Sequence, residues 1–177
     1  MPKREAHCPA CGKTYPGEAA WPRVCAGCGA VAERHPRPAV AVLLPICDSV
    51  LLIRHAGGPY AGQLSLPGGW LACGESWQQA AVRRLATESA VKAGRDEVTL
   101  YDVVSADDVL LVAGLVKARS STGLPRFKPN QEVAELVLAS SMLELAQPLH
   151  AQLLKRYLSS KQGQTQGLRR RRTSQAE

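Results

Sequence analysis

Aromatic side chains are scarce in this chain, with one Phe, three Trp and four Tyr among 177 residues, and there are only two Met. Its core must therefore rest on Leu, Val and Ala, which the hydrophobic share of 45% supplies in ordinary amount. No apolar run approaches the roughly 18 residues that a membrane-spanning helix requires. The first residues, Met1-Pro2-Lys3-Arg4-Glu5-Ala6-His7-Cys8, contain no apolar segment of the signal-peptide kind, so the expected compartment is the cytoplasm. Acidic residues are also in the minority, 15 Asp and Glu against 22 Lys and Arg, giving a net charge of +7. That charge does not describe a basic surface. Lys161 and Arg169 to Arg172 face a single acid, Glu177, so the stretch from 161 onward carries +4 and the rest of the chain +3. Nucleic-acid binding does not follow from this distribution, and contact through Arg169 to Arg172 is the weakest of the alternatives left open.

Four of the six cysteines fall in a pattern. Cys8-Pro9-Ala10-Cys11-Gly12 and Cys25-Ala26-Gly27-Cys28-Gly29 form C-x2-C-x13-C-x2-C. Two close pairs, each followed by glycine, bring four thiolates to a tetrahedral Zn²⁺ while the backbone turns beneath the metal. Some 30 residues bury too little apolar surface to fold alone, and metal binding supplies the missing free energy. A cytosolic setting disfavours the alternative of two disulfides. With Cys8, Cys11, Cys25 and Cys28 filling every position, the expected zinc is structural, and His7 is not needed as a ligand. Cys47, in an apolar strand-like segment, is expected to be buried, whereas Cys73 lies in a loop.

The most informative stretch is Leu66-Pro67-Gly68-Gly69-Trp70-Leu71-Ala72-Cys73-Gly74-Glu75-Ser76-Trp77, followed by a helical run to about Val91. It resembles the Nudix box, G-x5-E-x7-R-E-U-x-E-E-x-G-U with U aliphatic. Gly69, Glu75, Arg83, Leu85, Glu88 and Val91 stand where the pattern asks. Arg84 and Thr87 replace two helix glutamates, and Ala90 replaces the glycine. The resemblance covers roughly Pro38 to Tyr157 and implies an α/β fold, the Nudix α/β/α sandwich with a mixed sheet, preceded here by the small zinc ribbon. It also implies hydrolysis of a nucleoside diphosphate linked to another group, with Mg²⁺ or Mn²⁺ neutralising the phosphates. By the same resemblance Gly69 would offer its carbonyl to the metal, and Glu75 and Arg83 would pair to fix the loop against the helix. A ribbon directly before such a domain also resembles bacterial NADH pyrophosphatases, but their S-Q-P-W-P-F-P signature is missing. Zinc-ribbon Nudix proteins of unassigned substrate are closer in Trp21-Pro22-Arg23, Gly74-Glu75-Ser76-Trp77 and Phe127-x-Pro129-Asn130-x-Glu132.

The chemistry of the box is damaged. A helix presents positions i, i+3 and i+4 on one face, and here these are Arg84, Thr87 and Glu88. Only Glu88 remains as a charged metal ligand there, with Glu132 or Glu135 as candidates to assist it. Arg84 is either a solvated helix residue or a phosphate-binding cation in place of a metal. Trp70 either stacks a base or packs the loop.

Along the rest of the chain, His35-Pro36-Arg37-Pro38 reads as a linker. Strands are expected over 39–45 and 50–54 around the turn Cys47-Asp48-Ser49, over 98–105 and 109–116 around Asp107-Asp108, and over 133–138. Ser76 and Gln79 form a capping box at the start of the central helix. A closing helix is expected over 142–158, broken near Pro148. The expected units are a ribbon at 7–33, a Nudix domain at 37–159 and a basic, disordered tail at 160–177. The leading function is hydrolysis of a nucleoside-diphosphate-linked small molecule with weakened or altered metal use. The alternative is an inactive Nudix domain that binds a nucleotide-like ligand or a protein partner. Sequence alone names neither the substrate nor the oligomeric state, and no membrane partner is expected.

Overall fold

In the smaller of two compact units, Met1–Pro36, two near-identical turns are built around the cysteine pairs. The Gly12 amide donates to the Cys8 carbonyl at 2.9 Å, and the Gly29 amide donates to the Cys25 carbonyl at 2.8 Å. Both glycines take a left-handed conformation, φ 75° and 71°, which a side chain would strain. Strands β1 (Arg23–Val24) and β2 (Val31–Ala32) pair antiparallel behind the second turn. Cys8, Tyr15, Cys25 and Ala32 are buried together, with Trp21 and Ala30 packed against them. This is a very small core. The computed structural model describes residues 6–17, 20–106 and 108–173, with side chains up to 161.

The larger unit, Arg37–Glu177, begins with β3 (Arg37–Leu43), β4 (Pro45–Ile46) and β5 (Ser49–His55). Short strands β6 (Leu64–Ser65) and β7 (Gly68–Trp70) precede helix α1 (Trp77–Ser89). The hairpin of β8 (Val98–Ala106) and β9 (Val109–Val116) follows, then β10 (Val133–Ala139) and helix α2 (Pro148–Thr173). A mixed sheet runs β7-β3-β9-β8, in which β3 and β9 are parallel and the other pairs antiparallel. The second sheet is antiparallel, β10-β5-β4, with β6 also paired to β5.

Alternation along the central strands divides the core. Ala39, Ala41 and Leu43 of β3, with Val50 and Leu52 of β5, pack with Leu153, Leu154, Tyr157 and Leu158 of α2. Val42, Leu44 and Leu51 lie in a second cluster with Ala81 and Leu85 of α1. Strands buried on both faces read as near-continuous apolar runs, which is how 39–44 and 50–53 look in the sequence. Helices on opposite faces complete the α/β/α sandwich that the sequence led us to expect.

Local sequence sets the limits of α1. The Ser76 side chain accepts from the Gln79 amide at 3.2 Å and the Gln79 side chain accepts from the Ser76 amide at 2.7 Å, the expected capping box. At the other end Ala90 takes φ 61°, a left-handed cap, which explains why the box pattern asks for glycine there.

Several expectations need correcting. Residues 142–147 are not helical, because Pro148 starts α2, where its missing N–H costs nothing, and does not break a longer helix. The backbone of α2 continues to Thr173, so helix replaces the disordered tail expected over 160–177 as far as that residue. Lys, Arg and Gln there are good helix formers. The side chains of Arg169 to Arg172 lie outside the described residues, as does Asp107. Cys47 is exposed, not buried: it sits in the β4–β5 turn with φ 51°, and its carbonyl accepts from Lys161 Nζ at 3.0 Å. Strands β6 and β7 stand where the sequence reads as loop.

Candidate functional site

In the smaller unit Cys8, Cys11, Cys25 and Cys28 converge, their sulfurs all within 4.8 Å of one another. Cys8 and Cys28 sulfurs are 3.7 Å apart, and those of Cys11 and Cys25 are 3.6 Å apart, far beyond a disulfide bond. Backbone amides stabilise thiolates here. The Cys11 amide leads in holding the Cys8 thiol down to about 6, and the Gly27 amide, 3.3 Å from the Cys25 sulfur, lowers Cys25. The Ala30 amide pulls on Cys28 in the same sense, yet its three thiol neighbours and burial push it up to about 12. Four clustered sulfurs cannot all ionise without a cation between them. The group is therefore fitted to hold a metal ion.

In the larger unit the loop before α1 is tied down by Glu75. Its Oε1 accepts from the Ala72 amide at 2.7 Å and from Arg83 at 2.6 Å, and its Oε2 accepts from Arg83 Nε at 3.0 Å. The forked hydrogen bond from Arg83 and the Ala72 amide hold the Glu75 carboxyl down at about 2. Arg83 also reaches the Trp70 carbonyl at 3.4 Å, so one guanidinium ties helix, loop and β7 together. This pairing matches the expectation.

Arg84 points into the site and not to solvent. Its Nε donates to the Gly68 carbonyl at 2.7 Å, one terminal nitrogen pairs with Glu88, and the other lies 3.4 Å from Glu132. Glu88, only 2% exposed, also accepts from the Gly68 amide at 2.8 Å. Burial pushes the Glu88 carboxyl up to about 7, although Arg84 and the Gly68 amide pull it down. A backbone carbonyl and two carboxylates are the hard oxygen donors that a divalent ion would seek. Here a guanidinium already engages all three. As they stand, these residues do not fit the Mg²⁺ or Mn²⁺ that the box resemblance implies.

The backbone carbonyl in this cluster comes from Gly68 and not from Gly69, since successive carbonyls of an extended strand point to opposite sides. Gly68 is also required by packing: a Cβ there would lie 2.2 Å from the Val40 carbonyl oxygen of β3. At Gly69 a Cβ would come within 2.8 Å of Arg84 Nε. Thr87 does not join the cluster, for its hydroxyl donates back to the Arg83 carbonyl at 2.9 Å. The loop before β10 is held against α1 by Asn130, whose side chain donates to the Thr87 carbonyl at 3.3 Å and accepts from the amides of Glu132 and Val133 at 2.8 Å. This brings Glu132 to Arg84. Glu135 is turned to Arg54 instead, at 2.6 Å.

Beside the cluster lies a cavity of about 390 Å³, bounded by β7, β3, β9 and the first turn of α2. Trp70 lines it and is 46% exposed, with the Arg37 guanidinium 4.0 Å from its ring centre. His55 lines it too; its Nε2 lies 2.8 Å from the buried Ser65 hydroxyl, and burial lowers its pKa. Sequence reasoning missed Gly68, His55, Gln147 and His150. Only the glycine doublet carried a signal, because the other three come from segments far apart in the chain.

Comparison with known proteins agrees with this architecture. The family model described as NUDIX domain matches residues 35–157. The chain is 35% identical over 57 residues to the ADP-ribose pyrophosphatase of Methanocaldococcus jannaschii, a match spanning 32% of this chain and 34% of that protein. Among solved structures, a NUDIX hydrolase from Nitrosomonas europaea superposes with TM-score 0.62 and 23% identity, covering 89% of this chain and 92% of that one. An ADP-ribose pyrophosphatase from Streptococcus suis gives TM-score 0.53 and 22% identity, covering 71% and 92%. These identities speak to the fold, whereas the family model spans more than half of the chain. The chain belongs to the Nudix family.

Proposed function

We propose that the larger unit binds a nucleoside-diphosphate-linked ligand without a divalent ion, that Arg84 takes the metal's place, and that metal-dependent hydrolysis is lost. The observation carrying this reading is the Arg84 guanidinium among the Gly68 carbonyl, Glu88 and Glu132. Glu132 makes the longest of these contacts, and its side chain is 53% exposed. An incoming phosphate can replace it on the guanidinium while Glu88 and Gly68 keep Arg84 in position. The exchange trades one anion for another, so little desolvation is added. Small-molecule ligands of this class fit a cavity of several hundred cubic ångströms with few polar groups.

Zinc is the metal we assign to the ribbon. Sulfurs bound at about 2.3 Å around a tetrahedral ion lie roughly 3.8 Å apart, close to the two separations above. Free thiols in such a cluster suit a reducing compartment such as the cytoplasm. Among the described residues no helix is long and apolar enough to cross a membrane.

A second reading, hydrolysis with altered metal use, draws on the retained Glu75–Arg83 pair and the 35% identity to an ADP-ribose pyrophosphatase. Calorimetry and turnover assays separate the two. ADP-ribose, dinucleotides and nucleoside triphosphates would be tested with Mg²⁺, with Mn²⁺ and with EDTA. On the first reading binding survives EDTA, weakens about 10- to 100-fold in Arg84→Ala, and is not followed by turnover. Turnover that needs Mg²⁺ and disappears in Glu88→Gln would establish the second.

A further inference from the structure

The cavity beside Arg84 ends against the first turn of α2, where two polar side chains have atoms with no partner. His150 is 7% exposed, and its Nδ1 is buried without a hydrogen bond. Gln147, next to Pro148, has its Oε1 buried and unpaired in the same way. Both residues line the cavity. Buried polar atoms are nearly always satisfied, and two orphans facing one cavity indicate partners brought by a ligand.

The chemistry of the wall limits what that ligand can be. None of the described residues lining the cavity is lysine or arginine, and the one charged residue there is acidic, Asp108. Burial drives the His150 imidazole down to about 4 and lowers His55, so both rings are neutral at physiological pH. A phosphate offers acceptors and negative charge, and finds neither donors in excess nor a cation. An amide oxygen and a neutral imidazole instead suit a neutral group that can both donate and accept, as hydroxyls do. The remaining wall is apolar, formed by Ala39, Leu66, Leu111 and Leu149, which suits the carbon face of a ring.

We propose that His150 and Gln147 are specificity-determining residues which seat a hydroxyl-bearing sugar on the far side of the ligand's diphosphate, and select such ligands over those ending in phosphate. This deepens the binding reading above and rests on it.

The test is titration calorimetry on the full chain with ADP-ribose, ADP and ATP. The expected result is that ADP-ribose binds about tenfold or more tighter than ADP, and that ATP gains nothing over ADP. His150→Leu and Gln147→Leu should each erase the preference while the ADP affinity stays within about twofold. His150→Asn, which restores a polar group near the Nδ1 position, should recover part of it. Thermal melting verifies that the variants fold, and Gln147, only partly buried, carries the comparison if His150→Leu does not. Equal affinity for ADP-ribose and ADP in the natural protein overturns the inference and leaves the binding reading standing. A folded Leu variant with the preference intact does the same. Failure of all three nucleotides to bind overturns both.

Discussion

Removing the Arg84 side chain should destabilise the protein, and more so at alkaline pH. Arg84→Met keeps the aliphatic stem and deletes the guanidinium facing Glu88, which is 2% exposed. In the natural protein the Glu88 carboxyl titrates near 7 against an ordinary value of 4.5. A raised carboxyl pKa means that the folded state holds the proton more tightly than the unfolded chain. The stability gained this way is fully present below 4.5 and is lost as pH rises through 7, and the whole shift corresponds to about 3 kcal/mol. At pH 5 Glu88 is protonated with or without Arg84, so Arg84→Met loses mainly its hydrogen bonds, about 1–2 kcal/mol. At pH 8, one unit above the titration point, ionisation in the natural fold is favoured by about 1.4 kcal/mol. Without the cation the carboxyl takes up a proton instead of remaining charged and buried, and this gain disappears. The variant should thus lose roughly 1.4 kcal/mol more at pH 8 than at pH 5. Urea unfolding at the two pH values measures the difference, and the double variant Arg84→Met with Glu88→Gln should abolish it. Equal losses at pH 5 and pH 8 would refute the argument that Arg84 serves as the counter-ion of a buried carboxylate.

Protein purified without chelators should carry about one zinc per chain by elemental analysis, and Cys25→Ser should lose it; zinc-free protein with an intact ribbon would contradict the four-thiolate site. Restoring carboxylates with Arg84→Glu and Thr87→Glu should raise Mg²⁺ affinity in calorimetry, since both positions share the Glu88 face of α1. A folded double variant that gains no metal binding would show that the surrounding pocket has diverged too. Ala90→Gly should stabilise the fold by about 0.5–1 kcal/mol in urea unfolding, because glycine removes the left-handed strain at φ 61° and gives back part of that gain as unfolded-state entropy. A loss of stability there would contradict the observed cap.

Much of this protein is local, and what is local was readable. The spacing of Cys8, Cys11, Cys25 and Cys28 brings four sulfurs together because each pair needs only its own turn. The Ser76–Gln79 capping box and the eight-residue step from Glu75 to Arg83 lie within one loop and two helical turns, so their hydrogen bonds follow from sequence distance. The apolar runs at 39–44 and 50–53 announced strands buried on both faces. What the sequence could not decide depends on segments far apart along the chain. Strand β7 exists because Gly68 comes against Val40 of β3. Glu132 reaches Arg84 while Glu135 reaches Arg54, because a register shift in the β10–β5 pairing lies between Val133 and Glu135. The four histidines give no hint that His150 would be enclosed at one end of a cavity with an unpaired nitrogen. The sequence alone determined that two metal-site glutamates were gone. Tertiary structure decided where the arginine that replaced one of them points: a guanidinium goes where buried carboxylate and carbonyl oxygens can satisfy it, and those oxygens come from three separate segments of the chain.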